Sequence, residues 1–341
     1  MKKALSLAIA AALVAPAAAM ADATLFGKAH FIVENVGVQP ASDAVTTEAW
    51  GVDSIHSRVG LKGSEDLGGG FKALYHFEFK VHQDDSADGF GDRNQFIGLA
   101  SDYGTALLGR HDTPMKMAQG KFDQFGDLPN GDITSVIPGE DRIDNLIAYV
   151  SPAIDGLTFV GALVSGELGD SDGQPGKLEG LADHTSLAAM YNNGPIFASL
   201  AYNTYDLGAV ADADLSLFRG TIVWNDGMWQ VGAMFASMDV DKLMDLNDVD
   251  SYGVSGHIKV GNGKIKGQFL TSDAPPINTG AFGMSPAVRI TAGVNQVDQY
   301  SFGYEHNLSK RTIAHVGYTT FDESVSGKEV DALFGGLIHN F

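Results

Sequence analysis

The chain has 341 residues, with 22 Lys and Arg against 42 Asp and Glu, and no cysteine. The missing thiols exclude disulfides and thiolate metal sites, and the acidity argues against nucleic acid, whose binders present a basic face. Past the N-terminus no apolar run approaches the ~20 residues of a spanning helix; the best, near 157–164, is far shorter.

Residues 1–21 stand apart. Lys2 and Lys3 precede an apolar run from Ala4 to Val14, then Pro16 and the small-residue end Ala19-Met20-Ala21. That order predicts a cleaved secretory signal peptide, with cleavage before Asp22. Residues 22–341 then form one domain, without a linker or a break in composition. Removing two lysines takes the formal charge of this part to 20 − 42 = −22.

From residue 24 onward one rhythm repeats. Segments of about ten residues alternate apolar with polar and stop at Gly, Asn, Asp or Pro turns. At 71–82, Phe71, Ala73, Tyr75, Phe77, Phe79 and Val81 share one face, while Lys72, Leu74, His76, Glu78, Lys80 and His82 share the other. A strand sends successive side chains to opposite sides, so each segment has a greasy and a wet face. In chain order the predicted strands are 24–36, 56–66, 70–82, 93–101, 104–112, 145–151, 157–166, 184–192, 195–205, 215–225, 228–238, 250–260, 264–273, 297–308, 312–322 and 329–341. Sixteen is an even number, as a barrel with both ends on one side of a membrane requires. Such a barrel hides its membrane signal in alternation, so mean hydropathy stays near zero, here −0.01.

The connections alternate in length. Short turns at 66–70, 102–104, 192–195, 225–227 and 261–263 are separated by long connections at 37–55, 83–92, 113–144, 167–183, 206–214, 239–249 and 274–296. Short turns on one rim and long loops on the other are the pattern of a transmembrane β-barrel. Acid gathers in the long connections, at Asp84, Asp85 and Asp88 and around Asp239–Asp250, as a solvated outer surface or a place where divalent cations bridge to lipid headgroups. Neither 85–91 nor 170–176 completes a calcium-loop pattern, so no metal and no cofactor is assigned.

The connection at 113–144 is too long to be structureless inside a compact domain unless it is functional. A 16-stranded barrel holds an open aqueous channel, which something must narrow. Phe122, Phe125, Leu128 and Ile133 fit packing on the inner wall, leaving Asp123, Asp127 and Asp132 to line the remaining hole.

At this point the chain resembles the general porins of Gram-negative bacteria, in the branch of the β- and γ-proteobacteria. The resemblance rests on Leu25–Ala29, Ser57–Gly68, Arg93–Leu99, Leu108–Pro114, Asp141–Asn145, Tyr149–Pro152 and the ending Gly336–Phe341. It implies a passive channel for ions and small hydrophilic solutes in the cell outer membrane, in contact with its lipid and lipopolysaccharide and assembled as a homotrimer. It also implies that the third loop folds into the lumen. Carried over residue by residue, it places Lys28, Arg58, Arg93 and Arg142 in a basic wall facing loop acids, among which Glu140 is counted with the three named above. Lys62 joins the wall because it shares a strand face with Arg58. Phe341 matches the C-terminal aromatic that barrel-assembly machinery reads. No Gly-x-Ser-x-Gly elbow or His-Glu-x-x-His helix is present, so no enzyme is expected. A substrate-selective porin for anionic or small organic solutes is the alternative.

Overall fold

The computed structural model describes residues 23–39, 47–82, 89–128, 130–165, 180–206, 214–239, 248–273, 296–324 and 327–341. The predicted signal peptide lies outside them, as do Asp84, Asp85, Asp88, Asp241 and Asp245.

The strands are β1 (Thr24–Gln39), β2 (Thr47–Ser54), β3 (Arg58–Gly68), β4 (Phe71–Val81), β5 (Phe90–Ser101), β6 (Gly104–Asp112), β7 (Arg142–Val150), β8 (Leu157–Val164) and β9 (His184–Asn193). They continue with β10 (Ile196–Asp206), β11 (Asp214–Asn225), β12 (Trp229–Asp239), β13 (Val249–Val260), β14 (Gly263–Ser272), β15 (Val297–Asn307), β16 (Thr312–Glu323) and β17 (Lys328–Asn340). Sequence neighbours pair antiparallel, β2 with β3 excepted, and β1 closes the sheet against β17, from Lys28↔Asn340 to Gln39↔Glu329. Strands β2 and β3 are two halves of one stave, since β1 pairs with β2 along its upper half and with β3 along its lower half. The result is a closed antiparallel barrel of sixteen staves.

One expectation is corrected here. The connection assigned to 37–55 is mostly wall: β1 runs on to Gln39 and β2 occupies 47–54. The alternation of β2 is weak, since only Trp50 and Val52 make its outer face apolar, between Glu48 and Ser54. The stave breaks at Ile55-His56-Ser57, where His56 has φ 48° and the Ser57 hydroxyl bonds the backbone of His30. The break lets Ile55 pack against a buried cluster of Ile32, Phe125, Leu128 and Phe334.

The barrel is apolar outside and polar inside. In β13, Val254 is 54% exposed on the outer face while the adjacent Ser255 is 6% exposed inside. Tyr300 and Phe302 face out, whereas Gln299 and Ser301 are buried inside. In water such a surface would be untenable; in lipid it is what the solvent demands. The densest core lies within the cylinder, between the wall and the segment 113–141.

Candidate functional site

Segment 113–141 leaves the wall after β6 and crosses the lumen. Thr113 caps a single helical turn, α1 (Pro114–Met117), by accepting the Lys116 amide, and Asp132 caps a 3-10 turn at Ile133–Ser135. Met115, Ala118, Phe122, Ile133, Val136 and Ile137 are buried against inward residues of the wall, among them Leu217, Met234, Met238 and Leu270. At Gly120 the backbone, with φ 60°, comes so close to the wall that a Cβ would sit 2.4 Å from the Phe197 ring.

Inward polar side chains from β9 to β15 then satisfy the loop backbone. Ser186 accepts the Met115 amide, and Ser199 donates to the Ala118 carbonyl. Gln268 accepts the Gln124 amide and donates to Gly131 O, while Gln299 donates to Asn130 O. A buried loop is tolerable only when its backbone groups are paired in this way.

Two buried cations fasten the loop more strongly, and neither was picked out by sequence reasoning. Arg219 on β11 is fully buried, pairs with Glu140 at 2.5 Å and also donates to Pro138 O. Lys266 on β14 donates to the Gln124 carbonyl at 2.7 Å, pairs with Glu305 at 2.6 Å and lies 4.4 Å from the Phe125 ring centroid. Both sit at inward positions of their strands, a signal that period-2 reading of β11 and β14 carries.

The loop tip meets the opposite wall at Asp127. Its carboxylate accepts from Lys28 Nζ at 2.8 Å and from Arg58 Nη1 at 3.4 Å. Asp127 has φ 69°, and its own amide donates to Asp132. Burial alone would raise this carboxyl, but Lys28 and Arg58 outweigh it and hold Asp127 well below the usual carboxylate range.

The basic wall continues around the lumen. Arg58 Nε is 4.0 Å from Glu78 on β4, and Glu78 is also bonded by Arg93. Arg93 reaches it through a β-bulge: Phe77 pairs with Gln95 and Phe79 with Asp92, so Glu78 faces both Arg93 and Asn94. Arg142 donates to Asn94 at 2.6 Å and pairs with Asp112 at 2.8 Å, at the point where the wall hands over to the loop. A second bulge between Gly109 and His111 precedes it. Each bulge re-aims one side chain, so parity counting could not place Arg93 or Arg142.

Several candidate residues therefore separate. Lys28, Arg58 and Asp127 come together directly, and Arg93 and Arg142 extend the row through Glu78 and Asp112. Lys62 does not join them; two inward positions farther down β3, its Nζ lies 5.1 Å from the Phe26 ring centroid. Three acids assigned to the hole serve the loop's own structure. Asp123 accepts the amides of Phe125 and Ile133, and burial, then the Asp132 charge, raises its carboxyl. Asp132 accepts the amides of Asp127 and Thr134. Glu140 is consumed by Arg219. For Asp123 and Asp132 the physical reason is that a segment outside the sheet leaves amides without strand partners, and nearby carboxylates take them; for Glu140 it is the buried guanidinium beside it.

Comparison with known proteins agrees with this architecture. The sequence model of the family described as Gram-negative porin matches residues 6–326. Outer membrane porin protein 32 of Delftia acidovorans is 28% identical, over 98% of this chain and 95% of its own. The solved anion-selective porin from Comamonas acidovorans superposes with a TM-score of 0.68 at 22% identity, covering 94% of this chain and 99% of its own. The outer membrane protein OmpT of Vibrio cholerae, solved in a trimer form, gives 0.61 at 15% identity, over 94% and 99%.

Proposed function

This chain belongs to the Gram-negative porin family, and we propose that its constriction, set by Asp127 against Lys28 and Arg58, favours small anions. The protein is an outer-membrane β-barrel that passes ions and small hydrophilic solutes by passive diffusion. The family consists of channels, not enzymes, and no catalytic step is assigned to this chain.

The carrying observation is the Asp127 carboxylate bridging Lys28 and Arg58 from across the lumen. Around it stand five cations, Lys28, Arg58, Arg93, Lys116 and Arg142, and four carboxylates, Glu78, Asp112, Asp127 and Asp132, a balance of 5 − 4 = +1. Charges beyond a Debye length of about 8–10 Å are screened, so this local excess outweighs the −22 of the exported part. A field across a narrow hole favours anions and lets dipolar hydrated solutes align, whereas apolar solutes must shed ordered water.

Reversal potential in a planar bilayer under a salt gradient tests this. The potential takes the sign of anion preference in the wild type and moves toward cation preference in Arg58→Ala, whose barrel still assembles. An unchanged potential in Arg58→Ala removes that residue from the constriction.

The homotrimer belongs to the same proposal. Outside the barrel, Gln95, Arg110 and Asp144 share the face of the exposed Ile97 and Leu108, with Arg110 and Asp144 2.6 Å apart. Charge facing lipid at mid-depth costs about 2–4 kcal/mol. A second copy covering this patch removes that cost. Export through a signal peptide at 1–21, contact with lipopolysaccharide and reading of Phe341 by assembly machinery complete the proposal. Phe341 supports it by closing the barrel through paired backbone bonds with Gly27, at 3.0 and 3.1 Å.

A further inference from the structure

Below the cation row, toward the short-turn rim, the inner wall carries four neighbouring rings. Phe26 on β1 lies 5.2 Å from His76 on β4; His76 stacks on Phe96 of β5 at 5.2 Å and 3°; and Phe96 meets His111 of β6 edge-on at 5.0 Å. All three separations fall in the range of favourable aromatic pairs. The stave between β1 and β4 contributes no ring but makes room. At Gly60 a Cβ would lie 2.4 Å from the Phe26 ring, so glycine lets that ring lie flat across β3 toward His76. Lys62 stands 5.1 Å from the Phe26 centroid, at one end of the row.

The row lies away from the loop. Apart from the tip, where Asp127 reaches Lys28 on β1 and Arg58 on β3, the loop's anchoring bonds described above run to β9–β15, whereas the rings sit on β1, β4, β5 and β6. Each ring keeps partial exposure, and the lumen is the only solvent that inward side chains of a barrel can meet. Among the described residues the inward ring pairs His30–His315 and His184–Tyr205 are buried, unlike this row. Contiguous apolar surface left in water marks a contact site more often than chance. The row is also rigid: Phe96 packs against the buried cluster of Leu107, Ile143, Leu146, Ala148, Ala162 and Val164.

Within the channel reading above, we propose that this ring row and the cations beside it form a binding subsite for planar organic anions, aromatic carboxylates above all. The ring of the solute lies on Phe26, His76 and Phe96, and its carboxylate turns to Lys62 at the lower edge or to Arg58 and Arg93 at the upper. Because the rings adjoin, a flat solute exchanges one contact for the next without fully rehydrating its apolar face. The stacked rings are already in place, so no ordering cost offsets the contact. A saturated acid of equal charge and similar size has no π face to offer and gains less.

The test is conduction by the mature protein in planar bilayers, under bi-ionic conditions, with the sodium salts of benzoate, cyclohexanecarboxylate and acetate each set against chloride. We expect permeability relative to chloride to be higher for benzoate than for cyclohexanecarboxylate, and millimolar benzoate to interrupt the chloride current. In Phe96→Leu the benzoate advantage falls by about fivefold, to the level of the saturated acid. Phe26→Leu, at the other end of the row, repeats the test should the first variant fail to assemble. Equal permeabilities of benzoate and cyclohexanecarboxylate in the wild type, or a benzoate advantage that survives in both variants, overturn the subsite and leave the porin reading standing. A protein that gives no stepwise chloride current overturns the porin reading and the subsite together.

Discussion

Asp127 shows how one residue holds two cations that would otherwise repel. Its neighbours depress its pKa, so the pairing contributes fully above the unfolded carboxylate value, near 4, and is lost only as pH falls through the lower folded value. Acidifying from pH 7 to pH 3 therefore leaves Asp127 largely charged, whereas a carboxyl with the unfolded value near 4 is mostly protonated by pH 3. Reversal potentials normalised to those of Asp127→Asn should keep their offset over that window, with the variant more anion-selective throughout. An offset that vanishes between pH 5 and pH 3 would mean that Asp127 titrates normally and is not bridged. Asp123 lies four residues away and runs the opposite way: buried beside Asp132, it is driven toward its neutral form. Two aspartates of one loop thus differ in role because one faces cations and the other faces its own backbone.

At the scale of elements, the lumen-crossing segment behaves as a piece of core. Its apolar side chains pack on the inner wall, and the polar wall residues pair its backbone. Phe122 is fully buried in that interface. Phe122→Ala should cost about 3–5 kcal/mol, the range for buried aromatics, and part of the loss falls on loop docking rather than on the barrel. Liposome swelling with sugars of increasing size would then report a larger size limit, while an unchanged limit would show that the polar anchors alone hold the loop. The wall strands were legible because dyad alternation is imposed by solvent on both faces. The second stave was half hidden because β2 ascends with Trp50 and Val52 outward but only Gly51 and Asp53 opposite the inward Glu34 and Ile32, a weaker pattern than in the lower wall. The loop's apolar contacts at Phe122, Phe125, Leu128 and Ile133 were legible too, since four large apolar groups in a long connection need somewhere to go.

For the whole molecule, lipid outside and water inside set the rule for every wall position. Val254, at the middle of β13, faces out. Val254→Lys should lower unfolding stability in lipid vesicles by about 2–4 kcal/mol, the cost of a lysine at the bilayer midplane. A neutral result would place that position at an interface or against another subunit. From the sequence alone came the sixteen-stave barrel, the sorted loops, and Lys28 with Arg58 on the wet face, because period-2 patterning and turn chemistry are local; the family came from the resemblance of its motifs, and the inward third loop from that resemblance and from the length and apolar residues of the connection. Tertiary structure alone decided that Asp127 rather than Asp123, Asp132 or Glu140 meets the cations. It also decided that bulges aim Arg93 and Arg142, and that Arg219 and Lys266 anchor the loop. Those choices depend on which backbone amides and charges the closed cylinder brings together, across separations from 15 residues for Arg93 and Glu78 to 142 for Lys266 and Gln124, and no local rhythm encodes that.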